Sequence, residues 1–394
     1  MTMKTDVVIV GGGLAGSLAA AMLGRAGIDC VLVDPHEIYP QEFRCEKLDG
    51  PQVALLQKTG LVRPVLRAAT PDGMNRVARF GRVVEKREGD QHGIFYAPLV
   101  NTVRGEIPRH VPFVRAKAQA IAAGEDRQTV TLAGGGSIDA RLVLLSNGLS
   151  VSLRDQLDLR RDVVSPCHSI TIGFNAVPRG RKAFQFPALT YYAERPADGA
   201  ALITLFPIGE AMRANLFVYR GMSDPWLHEI RRDTQAALYQ MMPGLRALLG
   251  DFEVDGRVEI RPIDLYETHG HRRPGVVLAG DAFATSCPAA GTGARKVLND
   301  VERLCNVHIP QWLATRGMGE GKIGSYYDDP VKRACDAFAA DKARALKDFS
   351  LGTTPGAHVR RWIKFAGQAT RGHLRPLRPF VPLHAQHGAL RETG

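Results

Sequence analysis

At 394 residues, the chain is long enough to bury a large core and to divide into two or three domains. A hydrophobic content of 45% with 23% charged residues excludes a disordered polymer, and no apolar run reaches the roughly 18 residues that span a bilayer. The net charge of +11 invites an anionic partner, but no nucleic-acid motif accompanies it, so binding to RNA or DNA is not expected.

The first residues lead straight into a strand and leave no room for a signal peptide, which makes cytoplasm the expected compartment. That strand, Asp6-Val7-Val8-Ile9-Val10, runs into Gly11-Gly12-Gly13-Leu14-Ala15-Gly16, a G-x-G-x-x-G turn. Residues 17–23 read as a small-residue helix, and Cys30-Val31-Leu32-Val33-Asp34 is a second strand ending on an acid. Strand, turn, helix and strand in this order form a dinucleotide-binding unit. Gly11 permits the tight turn, Gly13 lets backbone approach a pyrophosphate, and Gly16 lets the helix pack closely on the strand. The helix N-terminus offers free N–H groups and a positive dipole end to the phosphates. Asp34 stands where a carboxylate accepts from ribose hydroxyls.

Residues 49–61 read as short helical material, and 78–85 and 93–98 as short strands. Pro108 and Pro112 spoil the helical pattern that begins at Arg104. A hairpin turning at Gly134-Gly135-Gly136 leads into 140–145, whose apolar end predicts a buried parallel strand. From Ser169 the texture changes to alternation, in Ile170, Ile172 and Phe174 and again in 189–194, 202–206 and 215–220, which predicts an antiparallel sheet with one face covering something. Tyr191, Tyr192, Phe206, Phe217 and Tyr219 are candidates for that face, although alternation turns only one side of each strand toward a cavity. His168 is open to either a structural or an acid–base role. Asp224-Pro225 starts a helix, 258–265 reads as a strand interrupted by Pro262, and 275–281 returns to a buried parallel strand. The stretch 295–349 is helical, broken near Ile309-Pro310 and again by the glycines between Gly317 and Gly324.

Six cysteines with no C-x-x-C pair indicate neither a disulfide framework nor a zinc site. Beyond Gly356, Arg360, Arg361, Lys364, Arg371, Arg375, Arg378 and Arg391 face the single acid Glu392. Peripheral association with an anionic membrane and a plain solvated end are both open for this segment.

Gly280-Asp281 closes the late strand and is followed by Pro288-Ala289-Ala290-Gly291-Thr292-Gly293, a loop opening a second helix that contains Asp300. Such a loop presents backbone N–H groups to an electron-rich ring edge, and the Asp281 carboxylate accepts from a sugar-chain hydroxyl.

In these blocks the chain resembles the FAD-dependent aromatic hydroxylases of the para-hydroxybenzoate hydroxylase and ubiquinone-biosynthesis type, the class A flavoprotein monooxygenases. The resemblance runs in motif order over residues 4–305, with specific matches in four short blocks. It implies that Gly11, Gly12, Gly13, Leu14, Ala15, Gly16 and Asp34 hold the adenosine diphosphate part of FAD. It also implies that Arg44 lies near the flavin phosphates and ring edge, and that Asp281, Pro288, Gly291, Gly293 and Ala294 hold the ribityl chain and ring. Residues 141–148 with Arg154 are similar to the family's middle block. This chain departs by placing Asn147 where the family prefers Asp, Val151 for Ser, Arg295 for Asn, and Phe283-Ala284 for Ala-His.

The fold class implied is α/β: a Rossmann-like FAD-binding domain (1–165 and 256–310, with substrate-side insertions near 75–110) interrupted by an antiparallel-sheet substrate domain (166–255). A helical C-terminal region (311–394) with a basic tail follows. The resemblance further implies transient use of NAD(P)H, oxygen transfer through a flavin C4a-hydroperoxide, and a small, electron-rich, aromatic substrate. A flavin-dependent reductase of a lipid-like or isoprenoid substrate is the alternative, and a non-redox flavin-binding protein a further one.

Overall fold

The computed structural model describes residues 2–374. Val7, Val8 and Ile9 have no exposed surface because the Thr2–Val10 strand lies between two parallel neighbours, Cys30–Asp34 and Ser137–Leu145, with helices against the sheet. Phe113–Arg115 extends this parallel sheet on one side and Val276–Leu278 on the other. Residues 142–145 are fully buried, as their unbroken apolar run predicts.

Ser137–Leu145 has two partners on its outer side. Its beginning pairs with Gln128–Leu132, which pairs in turn with Ala118–Ala122 in an antiparallel meander; its end pairs with Val276–Leu278. The carboxyl ends of Thr2–Val10, Ser137–Leu145 and Val276–Leu278 therefore open on one edge of the sheet. Gly11, Asn147 and Asp281 meet there, at the crevice where open α/β sheets take their ligands.

A second sheet of seven strands runs in the order Phe252–His269, Arg160–Pro178, Ala211–Val218, Ala200–Ile208, Ala188–Tyr192, Met74–Arg79 and Arg82–Glu88. Neighbours are antiparallel except Ala188–Tyr192 beside Met74–Arg79. The sheet is thus wider than the segment 166–255: it recruits 74–88 and draws on both 160–165 and 256–269. One face packs Ile170, Ile172, Phe174, Ile203 and Leu216 against Trp226, Ile230, Leu238 and Met241 of the connecting helices. The opposite face looks toward the first sheet's open edge.

Five local expectations change, the first being the strand expected at 78–85, which is a hairpin of Met74–Arg79 and Arg82–Glu88. The strand expected at 93–98 is only His92–Gly93, followed by a helix, Tyr96–Arg104. Tyr96, Leu99, Val100 and Val103 recur at helical spacing and are all buried, while Pro98 sits in the first turn, where a missing N–H is tolerated. Pro262 does not interrupt Phe252–His269, because that strand lies at the sheet's edge and Pro262 aligns with Ile170 without needing to donate. Pro310 does not break the helical run, which passes through a π-helical turn at Leu304–His308 and breaks after Leu313. The start of the basic C-terminal segment belongs to a helix, Pro355–Leu374, packed on Arg82–Glu88. In it, Arg361 is buried and donates to Phe349 O and Gly352 O, and Trp362 stacks on Phe80. The side chain of Arg371, and Arg375, Arg378 and Arg391, lie outside the described residues. Among the described residues no helix is long and apolar enough to cross a membrane.

A Cβ at Gly16 would stand 1.9 Å from Gly11 O and 2.6 Å from Ser146 Oγ. Gly16→Ala is therefore expected to destabilise the protein by about 1–3 kcal/mol, the usual range for overpacking. Gly321→Ala, in a helix where a Cβ meets nothing within 4 Å, is the control and should melt at or above the wild-type temperature. Equal thermal denaturation midpoints for Gly16→Ala and wild type would refute the close-packing role.

Candidate FAD and substrate site

The first turn has the three distinct glycine environments that its spacing predicts. Gly11 adopts φ 101°, and a Cβ there would be 2.6 Å from Ser146 O, so both conformation and contact demand glycine. Gly16 makes the close packing described above. Gly13 is the N-cap of helix Leu14–Arg25 and has no side-chain cap; a Cβ there would find no atom nearer than Tyr96 Oη at 3.7 Å. The Leu14 N–H of this helix N-terminus donates to Tyr96 Oη at 3.4 Å, so Tyr96 and Tyr39 border the end of the helix to which the pyrophosphate of FAD would bind.

Asp34 is buried, with Oδ2 accepting from Gly12 N at 2.7 Å and Oδ1 from His36 N at 2.9 Å. An ionised carboxylate keeps further lone pairs on both oxygens, so ribose hydroxyls could still donate to it. Arg104, which the sequence did not single out, approaches Asp34 Oδ1 at 3.3 Å and donates to Gly12 O. It ties the turn to the second strand from the end of helix Tyr96–Arg104.

The second half of the site is joined by charge. Arg44 Nη1 donates to Asp281 Oδ2 at 2.8 Å and Nε to Glu42 Oε2 at 2.7 Å; Tyr39 Oη donates to Glu42 as well. Burial works against the Arg44 cation, but Tyr96, Asp281 and Glu42 hold its pKa above the ordinary arginine value. Burial also raises the Tyr96 phenol to about 12. Arg154 is completely buried and donates to Ala282 O at 3.0 Å and Tyr266 Oη at 3.2 Å, and Tyr266 donates to Asp281 O. Asp300 accepts from Gly280 N at 2.9 Å and pairs with Lys332 at 3.1 Å. Arg154 and Asp300 thus fix the Gly280–Ala282 turn from behind. The following loop is pinned by Gln52 Nε2 donating to Gly291 O at 2.9 Å, while a Cβ at Gly291 or Gly293 meets no atom within 4 Å. Both loop glycines face open space.

That space is a cavity of about 680 Å³. Leu14, Arg44, Asp281, Pro288, Gly291, Gly293 and Ala294 line one side. The other side is the free face of the second sheet, with Thr171, Thr190, Tyr192, Thr204, Phe206, Asn215 and Phe217. Leu346 and Phe349 of helix Pro330–Leu351 and Lys364 of the last helix close it. The pleat sorts the aromatic candidates as alternation requires. Tyr192, Phe206 and Phe217 reach the cavity, whereas Tyr191 turns into the opposite core and donates to Glu194. Tyr219 is absent from the lining and lies beneath Lys347.

Gly11, Gly12, Gly13, Ala15, Gly16 and Asp34 do not line this cavity; of the first turn only Leu14 does. His168 lines a separate cleft, where Ser165 Oγ is 3.0 Å from its Nδ1 and burial lowers its pKa. Arg295 packs its guanidinium 4.6 Å from the Phe338 ring and is not in the lining, so it does not make the ring edge cationic. Asn147 donates from Nδ2 to Ser150 O at 3.2 Å, and its buried Oδ1 has no partner.

Sequence reasoning passed over a pair beneath the sheet face. Arg213 holds Glu46 through two hydrogen bonds of 2.8 and 3.0 Å and also reaches Glu259 at 2.6 Å. Glu46 and Arg213 are 167 residues apart, so no local pattern announces them. Asn215 and Lys47 were passed over too, although the alternation that selects Phe217 puts Asn215 on the same face.

These features fit FAD, and the released cofactor should be FAD and not FMN. Asp281→Ala should weaken FAD binding at least tenfold, since hydrogen bonds to a charged group contribute about 1.5–3 kcal/mol. Chromatography of the released flavin and fluorescence titration of the apoprotein measure both. FMN alone, or unchanged affinity in Asp281→Ala, would reject the assignment.

The chain is 28% identical over 318 residues to 3-amino-4-hydroxybenzoate 2-monooxygenase PtnB3 of Streptomyces platensis, an alignment covering 76% of this chain and 78% of the relative. A shorter match, 40% identical over 86 residues, covers 22% of this chain and 20% of a menaquinone reductase from Mycolicibacterium smegmatis. Among solved structures, the fold is like that of p-nitrophenol 4-monooxygenase PnpA from Pseudomonas putida DLL-E4. The TM-score is 0.74 at 20% identity, over 94% of each chain. The P. aeruginosa PqsL complex with 2-aminobenzoylacetate gives a TM-score of 0.68 at 21% identity, over 91% of this chain and 100% of that one. Residues 4–308 match the family described as FAD binding domain, and the chain belongs to that family.

Proposed function

We propose that this protein is a FAD-dependent monooxygenase that consumes NAD(P)H and O2 and hydroxylates a small, electron-rich aromatic compound. The balance is one NAD(P)H, one proton, one O2 and one aromatic C–H converted to NAD(P)+, water and a phenol. The observation that carries this reading is the cavity itself. Residues suited to the flavin form one wall and the polar, aromatic face of a separate sheet forms the other, enclosing about 680 Å³ that the flavin ring and a small molecule would share. Bound FAD would supply hydride acceptance and oxygen activation at its C4a atom.

The chain's own residues supply the rest. Gly11 to Gly16 and Asp34 would hold the adenosine diphosphate part, while Arg44, Asp281 and the Pro288–Gly293 loop would hold the flavin end. The second sheet and helix Pro330–Leu351 would cover the flavin ring and limit water, which oxygen transfer needs and simple electron transfer does not. The name of the Streptomyces relative places its substrate among aminohydroxybenzoates, in keeping with a pocket for one substituted ring. The reductase reading has the menaquinone reductase match behind it. The hydroxyl and amide groups of Thr171, Thr190, Thr204 and Asn215 in the lining suit a lipid-like substrate poorly.

Turnover of a panel of phenols and aromatic amines under 18O2 decides between them. One labelled oxygen in the product, with one NAD(P)H consumed per product, is expected. NAD(P)H oxidation with a reduced product and no label would establish the reductase, and the absence of both would end the proposal.

A further inference from the structure

Lys47 reaches the cavity without a carboxylate partner among the described residues. Its ammonium stands 5.1 Å from the centre of the Phe206 ring. Asp72, Asp49 and Asp90 act on it through space, but none forms an ion pair with it within 4.0 Å, and burial holds its pKa below the ordinary lysine value. Lys342 and Lys364, on the last two helices, are likewise in the lining; Lys342 lies over the Phe338 ring and Lys364 over Phe349, and neither forms an ion pair with a carboxylate among the described residues. The arginines of the lining are already occupied: Arg44 by Glu42 and Asp281, Arg87 by Glu85, Arg261 by Glu42 and Phe43 O.

Four polar atoms of the lining have no hydrogen-bond partner among the described residues: Gln91 Oε1, Ser286 Oγ and, on the sheet face, Thr171 Oγ1 and Asn215 Oδ1, the last two on residues only 6% and 7% exposed. The orphaned atom of Asn215 is its amide oxygen, which can only accept. Thr204 is the cross-strand partner of Asn215. Phe206, beneath Lys47, lies two residues further along the same strand, about 7 Å away, within reach of one substituted benzene ring.

We propose that the cavity selects a single-ring aromatic anion that also carries an N–H or O–H donor, the anionic group pairing with Lys47 and the donor meeting Asn215 Oδ1. Thr171 completes the polar floor, and Lys342 and Lys364 at the rim raise the local concentration of anions. A neutral or lipid-like ligand would leave Lys47 and Asn215 desolvated and unpaired, so the same groups that attract the anion reject the alternative. This inference rests on the cavity being the substrate site of the proposed monooxygenase.

The FAD-loaded protein is titrated with 4-aminobenzoate, 3-aminobenzoate, 4-methylbenzoate and 4-aminobenzamide, following the perturbation of the flavin absorbance. At least one aminobenzoate should bind ten or more times more tightly than both 4-methylbenzoate and the neutral amide. Lys47→Met should abolish the preference for acid over amide, and Lys47→Arg should restore part of it. Asn215→Leu should abolish the preference for amino over methyl. FAD content and melting temperature of each variant report whether the fold is intact, and the Lys47→Arg arm separates loss of charge from loss of structure. Equal binding of acid and amide by wild type, undiminished discrimination in Lys47→Met, or no response to any of the acids would overturn the inference. A protein that takes up no FAD would overturn instead the reading on which it rests.

Discussion

Three backbone pairings, Val143 with Val276, Leu144 with Val277 and Leu145 with Leu278, hold this molecule's chemistry in one place. They return the chain to its first sheet after the whole second sheet has been built, and they aim Gly280-Asp281 at the edge where Gly11 already opens. The Arg44–Asp281 contact then links that late turn to the segment after the second strand. Neither half of the expected FAD site is complete without this return. A buried parallel strand is a secure way to make it, because it satisfies its backbone groups on the sheet and its side chains in the core at once.

The second sheet works through its two unlike faces. One face is close-packed with the helices of 226–249. The other remains half-lined with hydroxyls, amides and aromatic rings and is free to specify a ligand. Since the side-chain period of a strand is two, both duties are written in the same strands: Ile203 and Leu205 serve the core while Leu202, Thr204 and Phe206 serve the cavity. A slip of one residue in register would exchange them.

Charge in the cavity is distributed unequally. The cations nearest the flavin side are held in ion pairs, as Arg44 is, and the buried Arg213 is engaged by Glu46 and Glu259. Their geometry is therefore set before any ligand arrives, which is what preorganisation requires. Lys47, Lys342 and Lys364 are not held in ion pairs of this kind among the described residues. A desolvated ammonium and an unpaired amide oxygen in one wall are unfavourable in the empty protein, and a ligand that pairs both would relieve them.

The local patterns of the sequence were enough for the dinucleotide turn, the acid at Asp34, the late Gly280-Asp281 strand and the alternation of the second sheet, because each depends on neighbours a few residues apart. They were also enough to say that only some of the five aromatic candidates face a cavity. Tertiary structure alone decided which: Tyr192, Phe206 and Phe217, and not Tyr191 or Tyr219. The same holds for the extra strands at 74–88, for Arg104 beneath the first turn, for the Glu46–Arg213 pair and for the placing of Lys47 over Phe206. Pro262 and Pro310 were misread as breakers for a related reason, since a proline's cost depends on whether its missing N–H would have had a partner, and that is a property of the sheet edge or helix turn in which it lands. Backbone conformation and side-chain period are local quantities and can be read along the chain. Which charges, rings and unpaired atoms come to share a wall depends on strand pairings between residues more than a hundred positions apart, and only folding brings those together.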